Sequence, residues 1–186
     1  AVALGCSEAA VGVLSYGVAY AIFLDEDPRS GVRALTVAPM VALVGLWRGS
    51  VELLGYGNSG SGLFLDPLDA PVRFMWAAPS RASALIFGQW GWVPSDLWVA
   101  VPEERGLWVV IAGAGVFVAL IGVVYAPILA RERSARFWTV GAVGALVPLC
   151  ATFPMDRLLL LVGVGASAMI AQVIGAVALW RPGLPD

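Results

Sequence analysis

Long apolar runs, broken by short polar punctuation, set the pattern of this chain. Five stretches approach the ~20 predominantly apolar residues that a membrane-crossing helix needs: 3–24, 34–47, 107–130, 137–153 and 158–180. The second is short; it reaches span length by taking in Val32 and Arg33, or by running past Arg48 with that side chain snorkelling. Pro39, Pro127 and Pro148 fall within the runs, where membrane helices accommodate them with kinks. The pattern predicts an all-α integral membrane protein, a single membrane domain with about five transmembrane helices.

The 48–106 segment is too long and too apolar for a plain loop. Its 71–92 stretch is long enough to span, but contains Arg73, Pro79, Arg81 and Gln89. On a helix, Arg73 and Arg81 fall roughly on one side, with Phe74, Leu85 and Trp92 elsewhere. That predicts a helix lying in the membrane interface and broken near Pro79, with a re-entrant or spanning segment as the alternative. Upstream, Gly55-Tyr56-Gly57-Asn58-Ser59-Gly60 has the form G-x-G-x-x-G. A dinucleotide site needs that motif between a strand and a helix; here a membrane helix precedes it, so a turned loop is expected.

Composition agrees with lipid as the solvent. The chain is 60% apolar and 13% charged, with a mean hydropathy of +0.86, against about 25% charged in soluble domains. All 11 basic residues are Arg, His is absent and the formal net charge is −2. With no basic stripe, no nucleic-acid partner is expected. Without His, the commonest general base and metal ligand is missing, and nothing points to a metal or cofactor. Cys6 and Cys150 each lie in an apolar run, which favours packing over a disulfide. Trp47, Trp108, Trp138 and Trp180 fall at helix ends, as an aromatic belt would place them.

Arg131, Arg133 and Arg136 share one tight turn, which marks the cytoplasmic side by the positive-inside rule. The turn with Arg29 and Arg33 then lies on the same side, and 48–106 lies outside. The Ala3-Leu4-Gly5-Cys6 outline of a lipoprotein site is not supported: the apolar run continues past the Cys and no basic region precedes it. Opening at Ala1 inside a hydrophobic run, the chain reads as a piece of a longer protein.

A few polar residues stand out against this background. Glu8 lies near the outer start of the first span, on one helical stripe with Gly12, Ser15 and Tyr16. A carboxylate facing lipid is costly, so that stripe should pack on protein or line a cavity. Asp156-Arg157 opens the fifth span on the same side. Asp156 is favourable at a helix N-terminus for dipole reasons alone. Arg157 sits at the wrong end for the dipole, but its fork suits a carboxylate or phosphate. An Arg157–Glu8 pair forms if the first and fifth spans adjoin.

Two segments resemble those of a known family. Gly5-Cys6-Ser7-Glu8-Ala9-Ala10, on a helix ending Phe23-Leu24-Asp25, resembles the "S-K-E-(small)" helix of polytopic GT-C membrane glycosyltransferases, the protein O-mannosyltransferase-like enzymes. Pro154-Met155-Asp156-Arg157-Leu158-Leu159-Leu160 resembles their late "(E/D)-R-(Y/L)-L-Y-L-P-S" segment. The intervening stretch, with Trp47-Arg48 and 61–67, is similar to uncharacterised bacterial members. Ser7 stands where the family has Lys, and Leu-Leu-Leu-Val follows Arg157 in place of Tyr-Leu-Pro-Ser. The family's catalytic acidic residue lies upstream of the matched region. The resemblance therefore implies a middle to C-terminal part of such an enzyme in a bacterial inner membrane, without the catalytic loop. It implies that Glu8 and Arg157, with Asp156 and Tyr16 nearby, help line an outer-face cavity for a polyprenyl-phosphate-linked sugar. The alternative is a non-catalytic accessory subunit that contacts other membrane subunits through small-residue helix faces. A transporter would need inverted repeats, and none recurs.

Overall fold

The computed structural model describes residues 8–27, 30–55, 64–91, 94–100 and 105–179. Among them there is no strand and 84% of the structure is helical. A 3-10 turn, Glu8–Gly12, leads into α1 (Val13–Phe23). α2 (Ser30–Leu53), α3 (Pro71–Trp90), α4 (Arg105–Arg131), α5 (Arg133–Leu149) and α6 (Leu160–Leu179) follow. Short 3-10 turns at Ser95–Ala100 and Asp156–Leu158 precede α4 and α6.

Among the described residues three helices are long and apolar enough to cross a membrane: Gly31–Leu53, Trp108–Arg131 and Leu160–Leu179. Their large apolar side chains stand exposed, Leu46, Val123 and Leu179 among them. Such a surface is stable only in an apolar solvent. Ala9–Phe23 is a shorter apolar helix. α5 has 17 residues and carries Arg133 and Arg136 in its first turn.

Several sequence boundaries shift. The 34–47 run becomes a 24-residue helix, because the backbone continues through Arg48 to Leu53. Arg48 pairs with Glu52 one turn on and with Asp66 beyond the helix, so its charge is met by carboxylates. Gly55, at φ 66°, closes this helix in the left-handed conformation that glycine adopts at no steric cost. The expected break at Pro79 is corrected: α3 runs unbroken from Pro71 to Trp90. Proline removes one helical hydrogen bond, and flanking side chains bond the local carbonyls. Ser80 Oγ donates to the Ala77 carbonyl at 2.8 Å and Ser83 Oγ to that of Pro79 at 2.7 Å.

α5 is the hub, with α1 and α6 packed along it and α3 and α4 touching it. α2 leans chiefly on α1. The best-packed region joins Leu85 of α3, Leu146 and Leu149 of α5, and Leu159 and Val162 at the start of α6. This core gathers at the bundle end where α5 finishes and α6 begins.

Candidate functional site

The α1 stripe seen in the sequence is a packing face. Tyr16 inserts between α5 and α6, where Gly141 and Gly165 leave room for it: a Cβ on Gly165 would stand 2.6 Å from the Tyr16 hydroxyl. That hydroxyl donates to the Leu161 carbonyl at 2.7 Å, and the ring meets Phe137 and Trp138 edge-on. Ser15 Oγ lies within 2.6 Å of the Gly12 carbonyl and 2.8 Å of the Gly141 carbonyl. Where apolar burial drives nothing, such close approaches and interhelical hydrogen bonds hold helices together. Tyr16 is thus committed to helix packing.

The same contacts fix a register. A Cβ on Gly12 would stand 3.2 Å from both Ala145 Cβ and Leu161 Cδ1. Tyr16, one turn on, faces Gly141 and Gly165. α1 therefore runs antiparallel to α5 and parallel to α6. The Glu8–Gly12 turn continues along α5 and the start of α6, so the backbone of Glu8 lies toward the bundle end that holds Leu149 and Arg157. Of Glu8 only the backbone lies among the described positions.

Asp156 and Arg157 are both exposed, yet they differ in their bonding. Asp156 Oδ1 accepts from the Ser95 backbone N–H at 2.8 Å and from Ser95 Oγ at 2.6 Å. The carboxylate rests over Gly88, where a Cβ would approach it to 2.8 Å. It ties the Ser95–Ala100 turn to the α5–α6 connection. Arg157 has no hydrogen-bond or ion-pair partner among the described residues. Its guanidinium keeps five donors to offer an anion.

Two arginines, Arg81 and Arg48, are structural. Arg81 Nη1 donates to the carbonyls of Cys150 and Ala151, both at 3.0 Å. These belong to the orphan acceptors of a helix C-terminus, where a cation is also favoured by the dipole. Leu65 N–H adds a 2.7 Å bond to the Ala151 oxygen. Arg48 with Asp66 pins the same segment to α2. Deeper in the bundle, Tyr125 donates to Gln172 Oε1, and Gln172 Nε2 donates to Ser134 Oγ at 3.0 Å. Sequence reasoning passed over Gln172 and Tyr125, although an amide within so apolar a run signals a polar partner.

Among the described residues no group of His, Cys, Asp and Glu could hold a metal ion. What gathers at this end is a carboxylate held by Ser95 and, beside it, a guanidinium with no partner among the described residues, which can bind an anion. No protein-family model matches the chain, and no curated protein or solved structure is significantly similar to it.

Proposed function

We propose that the chain is the membrane-embedded binding part of a glycosyltransferase-like protein, and that it receives a polyprenyl-phosphate-linked sugar at the end toward which Glu8 and Arg157 both lie. The observation that carries this reading is the α1–α6 register, which brings the two sequence-marked residues to one end of the bundle. Arg157 is the residue for the phosphate: it is exposed, and no described residue neutralises it. Its planar fork matches two phosphate oxygens at once. Asp156, held by Ser95, fixes the turn from which Arg157 projects. In this reading α1 and α5 complete a five-span arrangement, the 64–100 segment belongs to the outer side of a bacterial inner membrane with α3 re-entrant beside α4 and α5, and the chain contributes binding and orientation.

A photoreactive polyprenyl-phosphate sugar in nanodiscs tests this reading. Crosslinks are expected in the 153–161 peptide, and competition by unlabelled lipid should remove them. Labelling spread evenly over all helices would refute the assignment.

A second reading, a non-catalytic accessory subunit of a larger membrane complex, draws support from α2. None of its span window is buried, and its main neighbour is α1. Co-purification of a stoichiometric membrane partner that protects α2 from labelling, together with no lipid-sugar binding, would favour it.

A further inference from the structure

A half-open cavity of about 720 Å³ lies between α3, α4 and α5, and its lining is almost wholly apolar. On α4 it runs from Val118 to Leu129, eleven residue steps or about 16 Å at the helical rise. On α5 it runs from Cys150 back to Thr139. A second cavity of about 330 Å³ shares Trp90, Ile121, Tyr125 and Met169 with it and continues toward Ile174 of α6. The void follows the helices through much of a hydrocarbon layer. So apolar a lining offers water almost no hydrogen-bond partners, so a hydrocarbon is the fitting occupant.

Charge stands beside the end of the cavity away from Arg157. Leu129 lines it, and the Leu129 carbonyl accepts from Arg136 Nε at 2.9 Å. Arg136 also bonds the Ala130 carbonyl, which leaves three of its five guanidinium donors uncommitted. Arg133 stands one turn earlier on α5, exposed and without a partner among the described residues. Arg131 adds a third positive charge and Glu132 one negative, so the turn keeps a net charge of +2.

We infer that this cavity holds one acyl chain of an anionic phospholipid, whose headgroup phosphate sits on Arg133 and Arg136. The site lies at the opposite end of the bundle from the proposed sugar-lipid site and does not depend on it. Basic residues at the membrane boundary attract anionic headgroups, and the adjoining cavity turns that attraction into a defined site for one lipid.

Native mass spectrometry of the protein extracted from vesicles of equal parts phosphatidylglycerol and phosphatidylcholine tests the inference. The wild-type chain is expected to carry one phosphatidylglycerol in preference to phosphatidylcholine. Arg133→Gln should cut that preference roughly fivefold, and Arg133→Gln with Arg136→Gln roughly 30-fold. Because Arg136 also supports α4, the single Arg133→Gln variant carries the test if the double variant does not fold. Gly122 lines the cavity and a Cβ there meets nothing within 4 Å, so Gly122→Phe should fold and retain less of either lipid. Equal retention of the two lipids by wild type, or a Gly122→Phe variant that holds lipid like wild type, overturns the inference. So does a lipid-free dimer or partner complex.

Discussion

Arg81 and Cys150 lie 69 positions apart in the sequence, yet one guanidinium nitrogen of Arg81 rests 3.0 Å from the Cys150 carbonyl oxygen. The bond fastens the middle of α3 to the end of α5. It explains how an arginine fits beside a core that contains Leu85 and Val162. Replacing Arg81 by Met should leave the Cys150 carbonyl without this donor and the Ala151 carbonyl with the Leu65 N–H alone. The expected cost is about 1–3 kcal/mol of stability, read as a lower unfolding midpoint in detergent. Arg81→Lys should recover part of the loss. A midpoint unchanged in both variants would remove Arg81 from the scaffold.

The glycines that admit Tyr16 give a paired prediction. A side chain on Gly165 meets the Tyr16 hydroxyl, Ala142 Cβ at 2.7 Å and the Trp138 carbonyl at 3.1 Å. Gly165→Val should therefore destabilise by about 1–3 kcal/mol through overpacking. Gly175, ten residues further along the same helix, has nothing within 4 Å of a Cβ. Gly175→Ala should be neutral or stabilising by about 0.5–1 kcal/mol, because alanine loses less freedom in a helix. Equal effects of the two substitutions would contradict the packing described for α1, α5 and α6.

These contacts also mark what the sequence made legible. The 107–130 run differs by only a few residues from α4, because an uninterrupted apolar run has one stable form in lipid. The stripe of Gly12, Ser15 and Tyr16 was visible as one helical face, and it does face protein. The bonds of Arg81 to the α5 end and of Asp156 to Ser95 were not visible. They join elements whose neighbourhood only the tertiary arrangement decides. Pro79 misled for a related reason: proline propensity is local, whereas neighbouring helices hold α3 straight enough to continue.

Asp156 and Ser95 should behave as a coupled pair. Ser95 is only 2% exposed and brings both its hydroxyl and its N–H to one carboxylate oxygen. Asp156→Ala and Ser95→Ala should each cost about 1–2 kcal/mol, and the double variant clearly less than their sum. Hydrogen exchange in the 94–100 peptide should rise in Asp156→Ala. Strict additivity, with exchange unchanged, would mean that the bond does not hold this turn.

The Tyr125–Gln172–Ser134 link joins α4, α6 and α5 within the apolar body of the bundle. Hydrogen bonds between membrane helices average about 0.6 kcal/mol, so Tyr125→Phe should lower stability only modestly. Gln172→Leu should cost more, since it takes the partner from both Tyr125 and Ser134. A loss of several kcal/mol in either variant would show a role beyond helix contact.

The central claim concerns Arg157, and its most direct test is the affinity of the chain in nanodiscs for a polyprenyl-phosphate-linked hexose. A guanidinium that meets the phosphate predicts binding by wild type and at least a roughly tenfold weaker dissociation constant for Arg157→Ala. Arg157→Lys should fall between, as it keeps the charge and loses the fork. Equal affinity of wild type and Arg157→Ala, with both folded, would contradict the account.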